Sequence, residues 1–549
     1  MNCNFRLTYE RGGEERVLTS PAEGGDLSLA VTDDGERRRV TVTASSPAKL
    51  KAYSETGHDF FTKLSPADPD PQGDLYFVNG YQSWTDTREF YGDARERDVT
   101  RLPGVLVRNF AFDRYGDATF YKYSRRVLHV YDVFYVRGGS GGFAASLNAK
   151  NAYLIFEIVR REGTVSFLSD VNGVSLGEGE EFVVADYIYA GTFEEGVSLF
   201  RKYFRPKTDK KIFGYTSWYN YYQNISEEIL LRDLGALDGR FDLFQIDDGY
   251  ETFVGDWLDV DPKKFPNGLA PVVSAVKKKG LTAGIWLAPF VAEEKSRLFR
   301  EKPGWFKKGP DGRPVKCGSN WSGFYALDLE CREAMDYVAA CLGHYADMGF
   351  DFFKLDFLYG ASLPAYEGRT RSAVADSAYS YLGEVLKGKT ILGCGATLSN
   401  AAGKFDYVRV GPDVSLIFDD VWYMKFMHRE RISTKVTLQN TVFRSFMDGA
   451  FFGCDPDVFL LRDSNIGLTD DQKKALVTLN ALFGSVMMTS DNVAEYDERK
   501  KAELSAALDL FENARVTGYS RRGDVITVNY DLGGRAETIK YDTERGILV

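Results

Sequence analysis

The sequence predicts an α/β protein: a central (β/α)8 TIM barrel, an antiparallel β-sandwich before it and a small C-terminal β-sheet domain after it. Three observations carry this. Residues 1 to about 190 break into short runs that alternate apolar and polar side chains between Gly, Asp or Asn. After residue 212 the rhythm changes to eight apolar runs separated by stretches of helical period. Residues 515–549 return to alternation.

The sandwich rests on runs at 5–9, 27–31, 39–42, 130–136 and 182–190, spaced by turn residues as antiparallel strands are. Residues 192–203 carry apolar positions near helical spacing, and the charged segment 205–211 reads as a linker. The eight barrel runs are 212–217, 241–247, 281–287, 350–357, 390–394, 407–410, 449–453 and 485–490. Helices are expected between them at 226–237, 270–279, 331–348, 371–386 and 470–483. The long interval at 293–330 reads as an inserted loop. The expected domains are 1–204, 205–498 and 499–549.

Composition narrows the function. The net charge of −11 over 549 residues argues against nucleic acid, which needs a basic stripe. Four histidines, His58, His129, His344 and His428, lie far apart, so a multi-His metal site is not expected. Cys3, Cys317, Cys331, Cys341, Cys394 and Cys454 form no CxxC pair and read as reduced thiols of a cytoplasmic protein. No secretory leader or membrane span is expected. Asn224-Ile-Ser and Asn320-Trp-Ser match the glycosylation tripeptide and read as chance.

A barrel of this kind holds its active site at the C-terminal strand ends. Those ends carry Trp218, Asp247-Asp248, Trp286, Lys354-Leu-Asp356, Cys394, Arg409 and Asp413. So many carboxylates with aromatic residues between them suit a neutral polyol, and two carboxylates flanking a glycosidic bond hydrolyse it. Alternation puts Lys354 and Asp356 on one face of their strand. The ammonium is expected to lower the Asp356 pKa, as a nucleophile requires. Asp413, in a Gly-Pro turn, is the expected acid/base. Adjacent Asp247 and Asp248 are acceptors for sugar hydroxyls.

These residues also sit in a recognisable series: Gln245-Ile-Asp-Asp-Gly-Tyr250, Gly255-Asp-Trp257, Phe265-Pro-Asn-Gly268, Gly284-Ile-Trp286, Lys354-Leu-Asp-Phe357, Gly393-Cys-Gly395, Arg409-Val-Gly-Pro-Asp413 and Asp455-Pro-Asp457. In that order they resemble the α-galactosidases of glycoside hydrolase family 36, in the compact form, over nearly the whole chain. The resemblance implies an N-terminal β-supersandwich, the barrel and a C-terminal β domain. It implies retaining hydrolysis of terminal α-D-galactosyl residues of melibiose- or raffinose-type sugars, with no metal and no cofactor. Asp356 matches the family's nucleophile and Asp413 its acid/base. Trp218, Asp247, Asp248, Trp286, Lys354, Cys394 and Arg409 match its galactose-binding set. Trp84, in the segment 79–84, matches the residue that the N-terminal domain lends to the pocket. Galactosyl transfer and α-N-acetylgalactosaminidase activity are the alternatives on the same barrel, and a non-catalytic sugar-binding protein is the third. The chain is expected as a monomer or homo-oligomer. Cys454 stands where the family often has Asn, so the loop at 455–457 is left outside the expected site.

Overall fold

The computed structural model describes residues 4–19, 25–56, 73–91, 100–114, 124, 126–138, 141–159, 164–419, 424, 426–429 and 431–549. His58 and Cys3 lie outside the described residues. The fold is α/β, and its centre is a nine-stranded parallel sheet. Its strands are β1 (Ile212–Thr216), β2 (Leu243–Ile246), β3 (Thr282–Leu287), β4 (Phe352–Leu355), β5 (Thr390–Gly393), β6 (Tyr407–Arg409), β7 (Gly453–Asp455), β8 (Val458–Phe459) and β9 (Val486–Thr489). They pair in the order β7-β6-β5-β4-β3-β2-β1-β9-β8. Nearly every residue in these strands is buried, as expected where helices cover a parallel sheet.

The two ends of this path belong to one chain segment. Only Pro456 and Asp457 separate β7 from β8, and Asp457 has a left-handed φ of 75°. Pro456 has no N–H to continue a ladder, so the segment pairs with β6 before it and with β9 after it. Ser485 N donates to Cys454 O at 2.9 Å, and Ile212 N to Ser485 O at 3.0 Å, so the sheet curls back on itself.

Helices follow the strands: α1 (Glu227–Ala236), α2 (Ala270–Lys278), α3 (Arg332–Met348), α4 (Arg371–Val385), α5 (Leu398–Ala401), α6 (Thr434–Phe443), α7 (Asp470–Phe483) and α8 (Glu498–Asn513). Their starts obey local chemistry. Ser226, Thr370, Ser433, Thr469 and Asp497 each accept a backbone N–H of the first turn, and Thr469 with Gln472 forms a full capping box.

Three expectations are corrected. The run at 449–453 is a buried turn, and strand β7 begins only at Gly453. The insertion at 293–330 is not a plain loop. It carries a short helix (Arg297–Glu301) and two strands, Lys316–Gly318 and Phe324–Ala326, which join Val291–Glu293 in a three-stranded antiparallel sheet. The segment 499–549 opens with helix α8, which packs on α7, and its four-stranded sheet starts at Ala514.

Before the parallel sheet, two seven-stranded antiparallel sheets share one buried core, with Val42, Tyr53, Val130, Phe156, Phe167 and Tyr187 among its members. This unit docks on the sheet's helices through Tyr153, whose hydroxyl donates to Asn400 at 2.8 Å, and through segment 79–84. Among the described residues no helix is long and apolar enough to cross a membrane.

Candidate active site

The C-terminal ends of β1 to β6 converge on a cavity of about 380 Å³. Trp84, Trp218, Asp247, Asp248, Trp286, Lys354, Asp356 and Asp413 all line it. Cys394 and Arg409 are buried one layer behind. Cys394 Sγ accepts the indole N–H of Trp84 at 3.3 Å, and Arg409 Nη1 donates to Asp413 Oδ1 at 3.2 Å.

Asp247 closes β2 with three donors on one oxygen: Thr216 Oγ1 at 3.1 Å, Gln245 Nε2 at 2.6 Å and Lys354 Nζ at 2.9 Å. Asp248 accepts Gln223 Nε2 at 3.1 Å and Trp321 Nε1 at 3.0 Å. Burial pushes the Asp248 carboxyl above its ordinary range, with Asp247 adding in the same direction against hydrogen bonds from Glu251, Trp321 and Gln223. Glu251 is pushed well up by burial and by the neighbouring Asp248.

Asp356 follows β4 and is buried. Trp286 Nε1 donates to its Oδ2 at 2.9 Å, and Phe357 N to its Oδ1 at 2.8 Å. Phe357 takes a left-handed φ of 53°, a conformation that bulky residues adopt only when their surroundings hold them there. Here Trp84, Trp321 and Phe324 pack around its ring.

The Lys354 ammonium acts on Asp356 in the expected direction, but it does not decide the net shift. Burial raises its pKa and is the largest influence. Lys354 and the two hydrogen bonds lower it, Asp413 raises it, and the net shift is upward. The ion pair of Lys354 is with Asp247.

Asp413 is partly exposed at 32 %, unlike Asp356, so it stays in reach of water. Arg409 reaches two further carboxylates, Asp455 at 2.9 Å and Asp457 at 2.8 Å. Asp457 also accepts Val414 N at 2.7 Å and the Tyr219 hydroxyl. The segment 455–457 thus supports Asp413 through Arg409 and through the residue that follows Asp413.

The family model described as Melibiase matches residues 216–387, the stretch that carries Asp247, Asp248, Trp286, Lys354 and Asp356. The alpha-galactosidase of Escherichia coli is 34% identical over 142 residues, 24% of this chain and 19% of that protein. The A type blood alpha-D-galactosamine galactosaminidase of Flavonifractor plautii is 34% identical over 126 residues, 21% of this chain and 11% of that protein. The matched stretch therefore spans less than a fifth of either relative. Solved structures match over nearly the full length. TtGalA, the alpha-galactosidase of Thermus thermophilus, aligns in its complex with p-nitrophenyl alpha-D-galactopyranoside at a TM-score of 0.72 and 24% identity, covering 97% of this chain and 98% of that one. Its stachyose complex aligns at 0.68 and 25%, covering 92% and 99%. The fold is thus shared with solved alpha-galactosidase structures over nearly the whole chain.

The cavity also has residues that strand-end reasoning passes over. Trp321, from the insertion, lines the cavity and holds Asp248. A Trp inside a predicted insertion was its only signal, within the tripeptide read as chance. Phe357, Met424, Phe426, Met427 and Ile432 line the cavity too, as do Leu102 and Phe112 of the segment 100–114.

Proposed function

We propose that this chain is an α-galactosidase that releases terminal non-reducing α-D-galactosyl residues by double displacement. The observation that carries the reading is one cavity lined by Asp356, Asp413 and the sugar-orienting set Asp247, Asp248, Lys354, Trp218 and Trp286. In the first step the Asp356 carboxylate attacks the anomeric carbon. The glycosidic C–O bond breaks, and Asp413 gives its proton to the leaving oxygen. In the second, Asp413 takes a proton from water, whose oxygen attacks the same carbon and frees galactose with retained configuration. Asp247 and Asp248 accept hydroxyl protons of the sugar, and Trp84, Trp218 and Trp286 offer apolar faces to its ring.

The architecture reads as a (β/α)8 barrel with β7 and β8 as one broken strand, preceded by a supersandwich and followed by a β domain. We infer boundaries near 204/205 and 513/514, the second moved from 498/499 because α8 is the helix that follows the last barrel strand. Five described cysteines are unpaired, which supports a cytoplasmic protein acting on α-galactosides in solution.

The galactosaminidase relative raises an N-acetyl reading. It is disfavoured because Cys394, the corner for a bulky 2-substituent, lies buried behind the Trp84 indole. The test is Asp356→Gly on an aryl α-galactoside, with azide and product anomer followed by NMR. Activity should drop ~10³-fold or more and return with azide as a galactosyl azide. Undiminished hydrolysis without azide would remove Asp356 from the reaction.

A further inference from the structure

The cavity has two unlike sides. The strand-end side is charged and buried: Asp247, Asp248, Lys354 and Asp356 are each at most 7% exposed. The loop side is apolar and opens to solvent. Leu102 and Phe112 come from segment 100–114, and Met424, Phe426, Met427 and Ile432 from the connection between β6 and α6. Phe426 is 44% exposed, which puts this wall at the mouth.

The wall is built, not incidental. Thr100 bridges Met427, the Thr100 hydroxyl donates to Phe426 O at 2.8 Å, and the Arg101 guanidinium lies 5.5 Å from the Phe426 ring centroid. At its other end the segment is held by Ser319, whose hydroxyl donates to Phe110 O, and by Lys316 Nζ, which donates to Asn109 O at 3.2 Å. The apolar surface continues outward along the short helix Gly104–Phe110, where Val105, Leu106 and Phe110 are 58%, 40% and 48% exposed. Among the described residues, polar lining on these loops comes from Ser319, engaged as above, from Arg431, ion-paired with Asp419, and from Asn320.

We propose that the leaving group this site is shaped for is an alkyl chain, as in a lipid-type α-galactoside, rather than a second sugar. A sugar aglycone needs hydrogen-bonding partners for its hydroxyls, and a wall of Met, Phe, Leu and Ile leaves them unpaired at a cost. An alkyl chain needs only apolar area, which the wall and the helix beyond it supply in one direction. Thioether side chains adapt to chains of different bend. The inference rests on the α-galactosidase reading and concerns only its aglycone side.

The experiment compares methyl, butyl and octyl α-D-galactopyranoside, below the micelle concentration, with melibiose, following released galactose. The alkyl leaving groups have nearly equal acidity, so chain length changes binding and leaves the chemistry alone. kcat/KM should rise about tenfold or more from methyl to octyl, since each buried methylene is worth up to about fourfold. Octyl should exceed melibiose. Phe426→Ser and Met424→Ser should each lower the octyl-to-methyl ratio about threefold or more. A flat alkyl series, melibiose above octyl, or a ratio untouched in both variants overturns the proposal. So does a dimer in light scattering that Val105→Ser dissolves while the series stays flat, which makes the helix a contact between copies. Galactose from methyl galactoside with a flat series defeats only this inference. No galactose from any member defeats the α-galactosidase reading itself.

Discussion

Lys354 Nζ donates to Asp247 Oδ2 at 2.9 Å, and both groups are buried. The ammonium that strand alternation puts beside Asp356 is therefore committed to β2. Burial works against its charge, yet Asp247 and Asp356 together hold it protonated, and its pKa is raised. Asp356 feels the ammonium at longer range and takes its direct hydrogen bonds from Trp286 and Phe357. One cation thus serves an orienting carboxylate by contact and the nucleophile candidate through its field.

Lys354→Met separates these two services. As the proposed nucleophile Asp356 must react ionised, its pKa already lies above the ordinary carboxylate value, and Lys354 opposes that rise. Removing the ammonium lifts the Asp356 pKa further. The acid limb of kcat/KM should move to higher pH, because the ionised fraction at a given pH falls. Activity at the optimum should drop about 100-fold or more, since Asp247 is left buried and unpaired. A pH–rate profile with an aryl α-galactoside reads both, and an acid limb that stays in place removes Lys354 from control of Asp356.

Trp321→Phe tests the residue supplied by the insertion. Phenylalanine keeps a ring against Phe357 and Trp286 but deletes the indole N–H that reaches Asp248 at 3.0 Å. A hydrogen bond to a charged group contributes about 1.5–3 kcal/mol. KM should rise about tenfold or more with a smaller change in kcat. An equal fall in kcat at constant KM would mean that Trp321 acts on the reaction step instead of on the sugar.

What was legible follows from periodicity. Asp247, Asp248, Asp356 and Asp413 stand where apolar runs end, and all four line the cavity. Trp321 was not legible because residues 293–330 follow no period and their small sheet depends on pairing with Val291–Glu293. The run at 449–453 misled because an apolar run does not separate a strand from a buried turn. Phe451 packs against Phe200 and Phe204 of the preceding unit. Helix α6 escaped because all its residues except Lys435 are buried, which erases the amphipathic stripe. The stripe Leu504, Ala507, Leu508 and Phe511 of α8 has helical spacing, and the strand-based boundary at 498/499 passes over it.

Arg444→Met should detach the loop that carries Trp84. The buried guanidinium donates to Asn79 Oδ1 at 3.0 Å, to the carbonyls of Gly80, Gln82 and Ser83 at 3.3, 3.2 and 2.7 Å, and to Val410 O at 2.8 Å. It ties the N-terminal unit to the end of β6. Methionine fills a similar volume and leaves those acceptors unsatisfied in a dry site, at about 1–3 kcal/mol each before relaxation. Thermal unfolding should come earlier, and the Trp84 fluorescence change on galactose binding should be lost. Retention of both would assign the docking of segment 79–84 to its contacts with Cys394, Ala396 and Thr397.

Asp132→Asn tests the buried carboxyl between the N-terminal unit and α5. Burial lifts the Asp132 pKa to about 6, opposed by hydrogen bonds from Ser399 and from Leu154 N. A carboxyl whose folded pKa is raised stabilises the fold fully below its unfolded pKa of about 3.9, and that contribution is lost as pH rises through the folded value. Its full span is on the order of 3 kcal/mol. Asparagine copies the protonated form, and it tolerates the left-handed φ of 58° found there. The variant should match the parent near pH 4, gain on it as pH rises through about 6, and hold a constant lead above about pH 7. Chemical unfolding at four pH values measures the gap. A gap constant from pH 4 to 7.5 would mean that Asp132 is already ionised across that range and that its hydrogen bonds outweigh burial.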